Sequence, residues 1–462
     1  MSNDKFLKHS ENQQKINAFG YRCIKLLQNC VKKKSKQTNV DLFELFFHEL
    51  VCFYSSAYIT ILTQIKSNKK TSFPFVNSRF ITDPNAFQIQ AFKQESIPFY
   101  FLFFKLNFWS KKTLWVGPNL RREEKISLFK KAWKVKIKKK KRKKLTTKLI
   151  YYQFFLKKIT QISKALELPF SEKHIQALDL YFKQYICFEG CKPISRKNHF
   201  LLAGSNSSLM QRVASANFLK DKGNVISFGH GFASISIIEE PVVEYGEMKY
   251  SSSYIDFGKY PFKKQSNNIL VLKRTSSQIQ KIHSKKNTTK TKKLLYVPTS
   301  FSSYKTYAPY RNLYDAFYID WQKTLMETLN KNNVDYMIKS HPKSIQTYPH
   351  FSEHKLEKET LEMCFDCYDG FIFDYASTAL TETFATNKKI IYFDIGNRKI
   401  SPKALQCIKQ DSLYTEIVFD QPLEKQILAV LSLEKQRQFN FINTFSLGGK
   451  STAEVLNEII NK

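Results

Sequence analysis

Four short clusters in this sequence combine residue types that bind phosphate or move protons, and each follows an apolar run of strand length. In Gly229-His230-Gly231, two glycines let a backbone approach a ligand closely, and an imidazole titrating near neutrality hydrogen-bonds a phosphate or takes a proton. Glu239, Glu240 and Glu244 follow soon after, and Glu240 and Glu244 are the next candidates for a base. The stretch 300–306 (SFSSYKT) offers hydroxyls, Ser303 among them, together with Lys305. In Lys339-Ser340-His341-Pro342 the proline confines His341 to an extended backbone, which fixes where its imidazole points, and Lys339 beside it suits an anion. Last comes Asp374-Tyr375-Ala376-Ser377-Thr378, where hydroxyls and backbone N–H groups meet at an expected helix start. Taken singly, each cluster also has an ordinary reading: a loop histidine, solvated carboxylates, a Ser/Thr-rich loop or a helix N-cap.

The elements that must position these residues alternate. The segment 199–204 (HFLLAG) reads as a strand, 205–208 as helix-start residues, 209–219 as a helix and 224–228 (NVISF) as a strand. The polar stretch 263–293 reads as a linker. A second series follows: strand 294–298, helix 311–330, strands 334–339 and 370–374, helix 377–385, strand 389–394 and a closing helix over roughly 423–461. Repeated strand-helix-strand units with apolar strands predict parallel, doubly wound α/β sheets covered on both faces. Ligands of such sheets bind beyond the carboxyl ends of the strands, where all four clusters fall. The expected partition is 1–265 as an N-terminal Rossmann-like domain, 266–292 as a linker and 293–462 as a C-terminal Rossmann-like domain. Residues 1–110, rich in Phe and Tyr, carry no motif assignable to chemistry.

Bulk properties narrow the class. A chain of 462 residues with 42% hydrophobic content is long enough for two cores. Lys and Arg number 74 against 39 Asp and Glu, and the net charge of +35 favours an anionic partner. In 134–144 (KVKIKKKKRKK) nine of eleven residues are basic, and Tyr151, Tyr152, Phe154 and Phe155 follow. That tract fits either a solvated face or a surface resting on anionic lipid headgroups. No zinc-finger, RNP or basic-zipper pattern accompanies it, so nucleic acid is the less favoured partner. The N-terminus lacks the apolar core of a signal peptide. The apolar stretches 42–62 and 97–109 are interrupted by Glu44, His48 and Glu49 and by Lys105, so neither is expected to span a membrane. A cytoplasmic protein, peripheral on the inner face of the membrane, is expected. Its eight cysteines should be thiols; Cys187/Cys191 and Cys364/Cys367 lack a second pair at zinc-ribbon spacing. The sequence has no Asp-x-Asp, no P-loop and no G-x-G-x-x-G, which disfavours metal-dependent GT-A transferases, P-loop NTPases and dinucleotide dehydrogenases.

The order of the motifs carries a resemblance. Gly-His-Gly after a strand, Lys-x-His-Pro after a later strand, then Asp-Tyr-x-Ser-Thr opening a helix, over 199–400, resembles the bacterial GT-B transferases that use cytidine-nucleotide donors. These include CDP-glycerol glycerophosphotransferases of teichoic-acid synthesis, capsule Kdo transferases, sialyltransferases and polysialyltransferases. The resemblance implies two Rossmann-like domains facing across a cleft, here with an N-terminal helical and basic elaboration. It implies a metal-independent transferase without a cofactor, which moves a sugar from a CMP-sugar to a polysaccharide or lipid-linked acceptor. A polyol-phosphate phosphotransferase is the alternative, and a nucleic-acid-binding protein is the reading from another class. Lys339, His341, Ser377 and Thr378 would hold the donor phosphate, His230 would be the base, and Gly229, Gly231, Ser303, Lys305 and Asp374 would line the cleft. The acidic Asp/Glu-Asp/Glu-Gly motif of several sialyltransferases has no counterpart in the sequence.

Overall fold

The structure is a computed structural model. It describes 113–115, 132–134, five separate positions between 157 and 165, and most of the chain from residue 200 onward. From there it leaves out 205–214, 216–217, 220–221, 230–247, 249, 261–268, 286–292, 300–314, 342–350, 352–354, 399 and 461–462.

The first sheet contains β1 (Thr113–Trp115), β2 (Ala132–Lys134), β3 (Phe200–Gly204), β4 (Asn224–Phe228), β5 (Ser253–Phe257) and β6 (Leu270–Arg274). Its order is β2-β1-β3-β4-β5-β6, and every pairing is parallel. Alternate residues of one strand serve opposite faces, so a strand covered on both sides is largely apolar along its length. Accordingly Leu202, Ile226 and Ile255 join one apolar cluster, while Leu201, Ala203 and Val225 join another with Phe218.

Helix α1 (Ser277–Ser284) leads to the second sheet, built from β7 (Leu294–Tyr296), β8 (Tyr336–Ile338), β9 (Gly370–Phe373), β10 (Lys389–Asp394) and β11 (Leu413–Glu416). Its order is β11-β10-β9-β7-β8, again parallel throughout. Between these strands lie α2 (Asp315–Lys331), α3 (Leu361–Cys364), α4 (Thr378–Phe384) and α5 (Pro402–Asp411). After β11 come α6 (Leu423–Leu431), α7 (Asn440–Phe445) and α8 (Thr452–Ile460). One face of the sheet, with Leu295, Phe371, Phe373, Ile390 and Tyr392, packs on α1, α4, α5 and α7. The opposite face, with Tyr296, Ile372, Ile391 and Phe393, packs on α2 and α6 through Trp321, Leu325, Ile427 and Val430. The strand order turns back between β7 and β9, and in open parallel sheets the crevice for a ligand lies at the carboxyl end of such a switch.

Several expectations are corrected. The stretch read as a linker, 266–292, holds strand β6 and helix α1. Within it, Lys273 pairs with buried Asp256, and Arg274 stacks on Phe228 and Phe257. Strand β4 is therefore not the last strand of the first series. The single closing helix expected over 423–461 is three helices, α6, α7 and α8. It breaks where Phe439 (φ 57°) and Gly448 (φ 83°) take left-handed backbone conformations, which an α-helix does not accommodate.

The chain passes between the sheets twice, from β6 into α1 and from α7 into α8. Helix α8 returns to the first sheet, where Val455, Leu456 and Ile459 cover Leu202, Ile226 and Ile255. The two passages are hydrogen-bonded to each other through Thr275 N–H to the Lys450 carbonyl at 2.9 Å and Ser276 N–H to the Ser446 carbonyl at 2.8 Å. Gly258 (φ 72°) lies against this junction, where a Cβ would come within 2.4 Å of the Phe445 carbonyl carbon. Among the described residues no helix is long and apolar enough to cross a membrane.

Candidate functional site

At the carboxyl edge of the second sheet, each strand exit is held by the ladder itself. Val297 N–H donates to the Ile372 carbonyl at 2.9 Å, and Lys339 N–H donates to the Tyr296 carbonyl at 2.8 Å. These bonds bring the segments after β7, β8 and β9 to one edge. The segment with Lys339 and His341 and the segment with Asp374, Ser377 and Thr378 thus leave the sheet on either side of β7.

Their side chains are differently employed. The Lys339 ammonium donates to the Glu357 carbonyl at 3.3 Å. Burial opposes ionisation of the Glu357 carboxyl, but hydrogen bonds from Tyr368 and from the backbone N–H groups of Glu359 and Lys358, with the charge of Lys339, hold it below its ordinary value. The Tyr368 hydroxyl reaches Glu357 at 2.5 Å. Lys339 thus braces the segment entering α3 while standing at the sheet edge. His341 is half-buried, with Ser340 buried before it. Ser377 is the N-cap of α4, its hydroxyl oxygen accepting the Leu380 N–H at 3.3 Å, and Thr378 is exposed.

Asp374 was expected to line a cleft, yet it lies within the core. Its side chain is buried and accepts three hydrogen bonds: Tyr296 Oη at 2.5 Å and Trp321 Nε1 at 3.0 Å on Oδ2, and Tyr318 Oη at 2.8 Å on Oδ1. Tyr318 Oη in turn accepts the Thr299 N–H at 2.9 Å, so one carboxylate ties the exit of β7 to the exit of β9 and to α2. Burial pushes the carboxyl up to about 6, and the three hydrogen bonds restrain that rise. Burial, then the charge of Asp374, raises the Tyr296 phenol well above its ordinary value.

The exit of β10 adds a segment that sequence reasoning passed over. Gly396 (φ 70°) turns the chain, with its N–H donating to Asp394 Oδ1 at 3.0 Å, and among the described residues nothing lies within 4 Å of where a Cβ would stand. The Arg398 guanidinium lies 4.4 Å from the centre of the Tyr375 ring, and its Nη1 is 3.5 Å from the Ala376 carbonyl. Asn397 is 3% exposed, and its buried Oδ1 has no hydrogen-bond partner among the described residues. The signal was available, because Gly396-Asn397-Arg398 follows a strand ending in Asp394 and ligand contacts gather after strands.

On the first sheet, Gly229 continues the ladder through its N–H to the Ile255 carbonyl at 2.8 Å. A Cβ there would stand 2.8 Å from Asp256 Oδ1 and 3.0 Å from Tyr254 Oη, so glycine is required for packing. Asp256 is fully buried and pairs with Lys273 Nζ at 2.8 Å, a charge pair beneath the exit of β4 that was not anticipated. His230, Gly231, Glu239, Glu240, Glu244, Ser303 and Lys305 lie outside the described residues. Of the basic tract 134–144 only Lys134, in β2, is described.

Cys364 and Cys367 are not joined in a disulfide. Burial first, then the charge of Glu357, pushes the Cys364 thiol up to about 12, which keeps it protonated. Among the described residues no cluster of three or more His, Cys, Asp or Glu could hold a metal ion.

No family model matches this chain, and no curated protein matches it. Among solved structures it is similar to the UDP-GlcNAc 2-epimerase of Methanocaldococcus jannaschii in complex with UDP-GlcNAc and UDP, at 11% identity over 65% of this chain and 87% of that one, with a TM-score of 0.35.

Proposed function

We propose that this protein is a glycosyltransferase of GT-B type that takes a sugar from a cytidine-nucleotide donor, with the donor phosphate bound at the carboxyl edge of the second sheet by Lys339, His341, Ser377 and Thr378. The observation that carries the reading is the strand order β11-β10-β9-β7-β8, which puts the exits of β8 and β9 on either side of β7, beside the switch where such sheets bind ligands. The motif order in the sequence supports it independently. In this reading the first sheet bears the acceptor side, and His230, after β4, is the base, with Glu240 or Glu244 next in line. The acceptor hydroxyl gives its proton to the imidazole as its oxygen bonds to the transferred carbon. The bond from that carbon to the donor phosphate oxygen breaks, and the nucleotide leaves with the electron pair. Charge grows on the leaving phosphate, so fixed cations and hydroxyls there stabilise the transition state.

Calorimetric titration with CMP, CDP and UDP tests this directly. Saturable binding of a cytidine nucleotide is expected, weakened about tenfold to a hundredfold in His341→Ala if a hydrogen bond to a charged group is lost. Failure of every nucleotide to bind, or unchanged affinity in His341→Ala, overturns the assignment.

A further inference from the structure

We infer that a groove along α5, on the flank of the second sheet, binds a saccharide that carries carboxylate or phosphate groups, through Lys409 and the side-chain amides of Gln406, Gln410 and Gln438. The inference goes beyond the nucleotide reading and does not depend on it.

Helix α5 carries Pro402, Leu405, Gln406, Lys409 and Gln410 at the spacing of one helical face, so they form a stripe along roughly 12 Å of helix. Ala404, Cys407 and Ile408 bury the opposite side of α5 in the core. The chain from Lys435 to Gln438 runs beside the stripe, and the two walls border a hollow of about 530 Å³. That size lies in the range of small-molecule sites and exceeds what an inorganic anion fills. Both walls belong to the stretch 400–460, every residue of which is described.

The polarity of the groove follows from which atoms the protein already uses. Gln406 Oε1 accepts from Lys403 Nζ at 3.0 Å, and Gln410 Oε1 and Gln438 Oε1 accept from Asn440 Nδ2 at 3.1 Å and 2.9 Å. An amide has an acceptor end and a donor end with two hydrogens, so the donor ends are what these three side chains have left to offer. The last carbonyls of α5, those of Lys409 and Ser412, are taken by Lys435 Nζ. Asp411 is fully buried, and its carboxylate accepts the Gln438 and Phe441 N–H groups. Lys409 Nζ stands 4.8 Å from the centre of the Tyr414 ring, a contact that holds the cation in place and leaves its N–H groups to other acceptors. Among the described residues the lining includes neither a carboxylate nor an aromatic ring. Donors around a cation match an acceptor-rich anion. Neutral amide donors beside the charge suit the hydroxyl and ring oxygens of a sugar, whereas a nucleobase would need a ring to stack on.

The test is calorimetric titration of the full chain with a short oligogalacturonate, a phosphorylated malto-oligosaccharide, a neutral malto-oligosaccharide and inorganic phosphate. At least one of the two acidic saccharides should bind more tightly than the neutral one and than inorganic phosphate, and the tighter of the two identifies the anionic group. Lys409→Gln should weaken that binding about tenfold, the loss expected for a hydrogen bond to a charged group. Gln406→Glu keeps an oxygen for Lys403 but sets a carboxylate against the ligand, and should weaken binding by about tenfold or more. Gln406 and Lys409 are exposed, so both variants should melt at the wild-type temperature. Lys323→Gln, the same charge change on an exposed residue of α2 across the sheet, should leave affinity unchanged. CMP affinity should be the same in all three variants, so failure of the nucleotide reading leaves this test intact. Failure of both acidic saccharides to bind overturns the inference, as does equal binding of the neutral saccharide or of inorganic phosphate. Wild-type affinity in Lys409→Gln and Gln406→Glu, or an equal loss in Lys323→Gln, overturns it as well, because the groove would then not be where the ligand sits.

Discussion

At the scale of single residues, Asp374 is the group whose chemistry departs furthest from what its sequence position implied. A carboxylate fully buried among Tyr296, Tyr318, Trp321 and Tyr392 is held by neutral donors, and burial lifts it to about 6. A folded-state value above the ordinary 3.8 means that folding favours the protonated form. Its contribution to stability is complete below about pH 4 and is lost as pH rises through about 6. Raising a carboxyl by that amount corresponds to roughly 3 kcal/mol at neutral pH. Asp374→Asn keeps an oxygen where Tyr296 and Trp321 donate, and its amide donates to Tyr318 Oη, so the network survives without the charge. Thermal melts of both proteins from pH 4 to pH 8 should show the variant gaining on the wild type between pH 4 and 6.5 and at least as stable above that. Parallel curves would show that Asp374 does not titrate in this range.

Among the elements, turns fixed by left-handed glycines separate positions of strain from positions of close packing. Gly258 and Gly396 share a similar φ, 72° and 70°, yet their surroundings differ. A Cβ on Gly258 would collide with the backbone of Phe445, whereas one on Gly396 meets no described residue within 4 Å. Gly396→Ala should therefore cost only the conformational penalty, about 1 kcal/mol. Gly258→Ala adds an overlap that the α7–α8 junction must relieve by moving, and overpacking of this kind costs about 1–3 kcal/mol more. Denaturant titration of the two variants checks the order; equal losses would mean that the junction yields freely.

On the scale of the molecule, the last helix belongs to the first sheet. Leu456 is 1% exposed and packs with Leu202, Ile226, Phe228 and Ile255, residues some two hundred positions away. Leu456→Ala should cost about 2–5 kcal/mol, the range for a leucine truncated in a core. Hydrogen exchange should place the loss of protection in β3, β4 and β5 and spare β9 and β10. Loss confined to the second sheet would contradict the packing of α8.

Strand existence was readable wherever the run was apolar on both faces: NVISF over Asn224–Phe228 and KIIYFD over Lys389–Asp394 match the sequence expectation residue for residue. Such strands announce themselves because double-sided burial favours near-continuous apolar runs. Edge and polar strands did not. LVLKR in β6 is only half-buried, and SYIDF in β5 hides an aspartate whose partner, Lys273, comes from the next strand. The motifs after β8 and β9 were legible because each is local: a proline after a histidine, a serine capping a helix. What only the tertiary structure decided was non-local, namely that Asp374 serves the core, that Lys339 turns to Glu357, that Arg398 stacks on Tyr375 and that α8 crosses back to the first sheet. Each of these depends on strand order, and a parallel order is set by crossovers whose long-range packing no short window of sequence records.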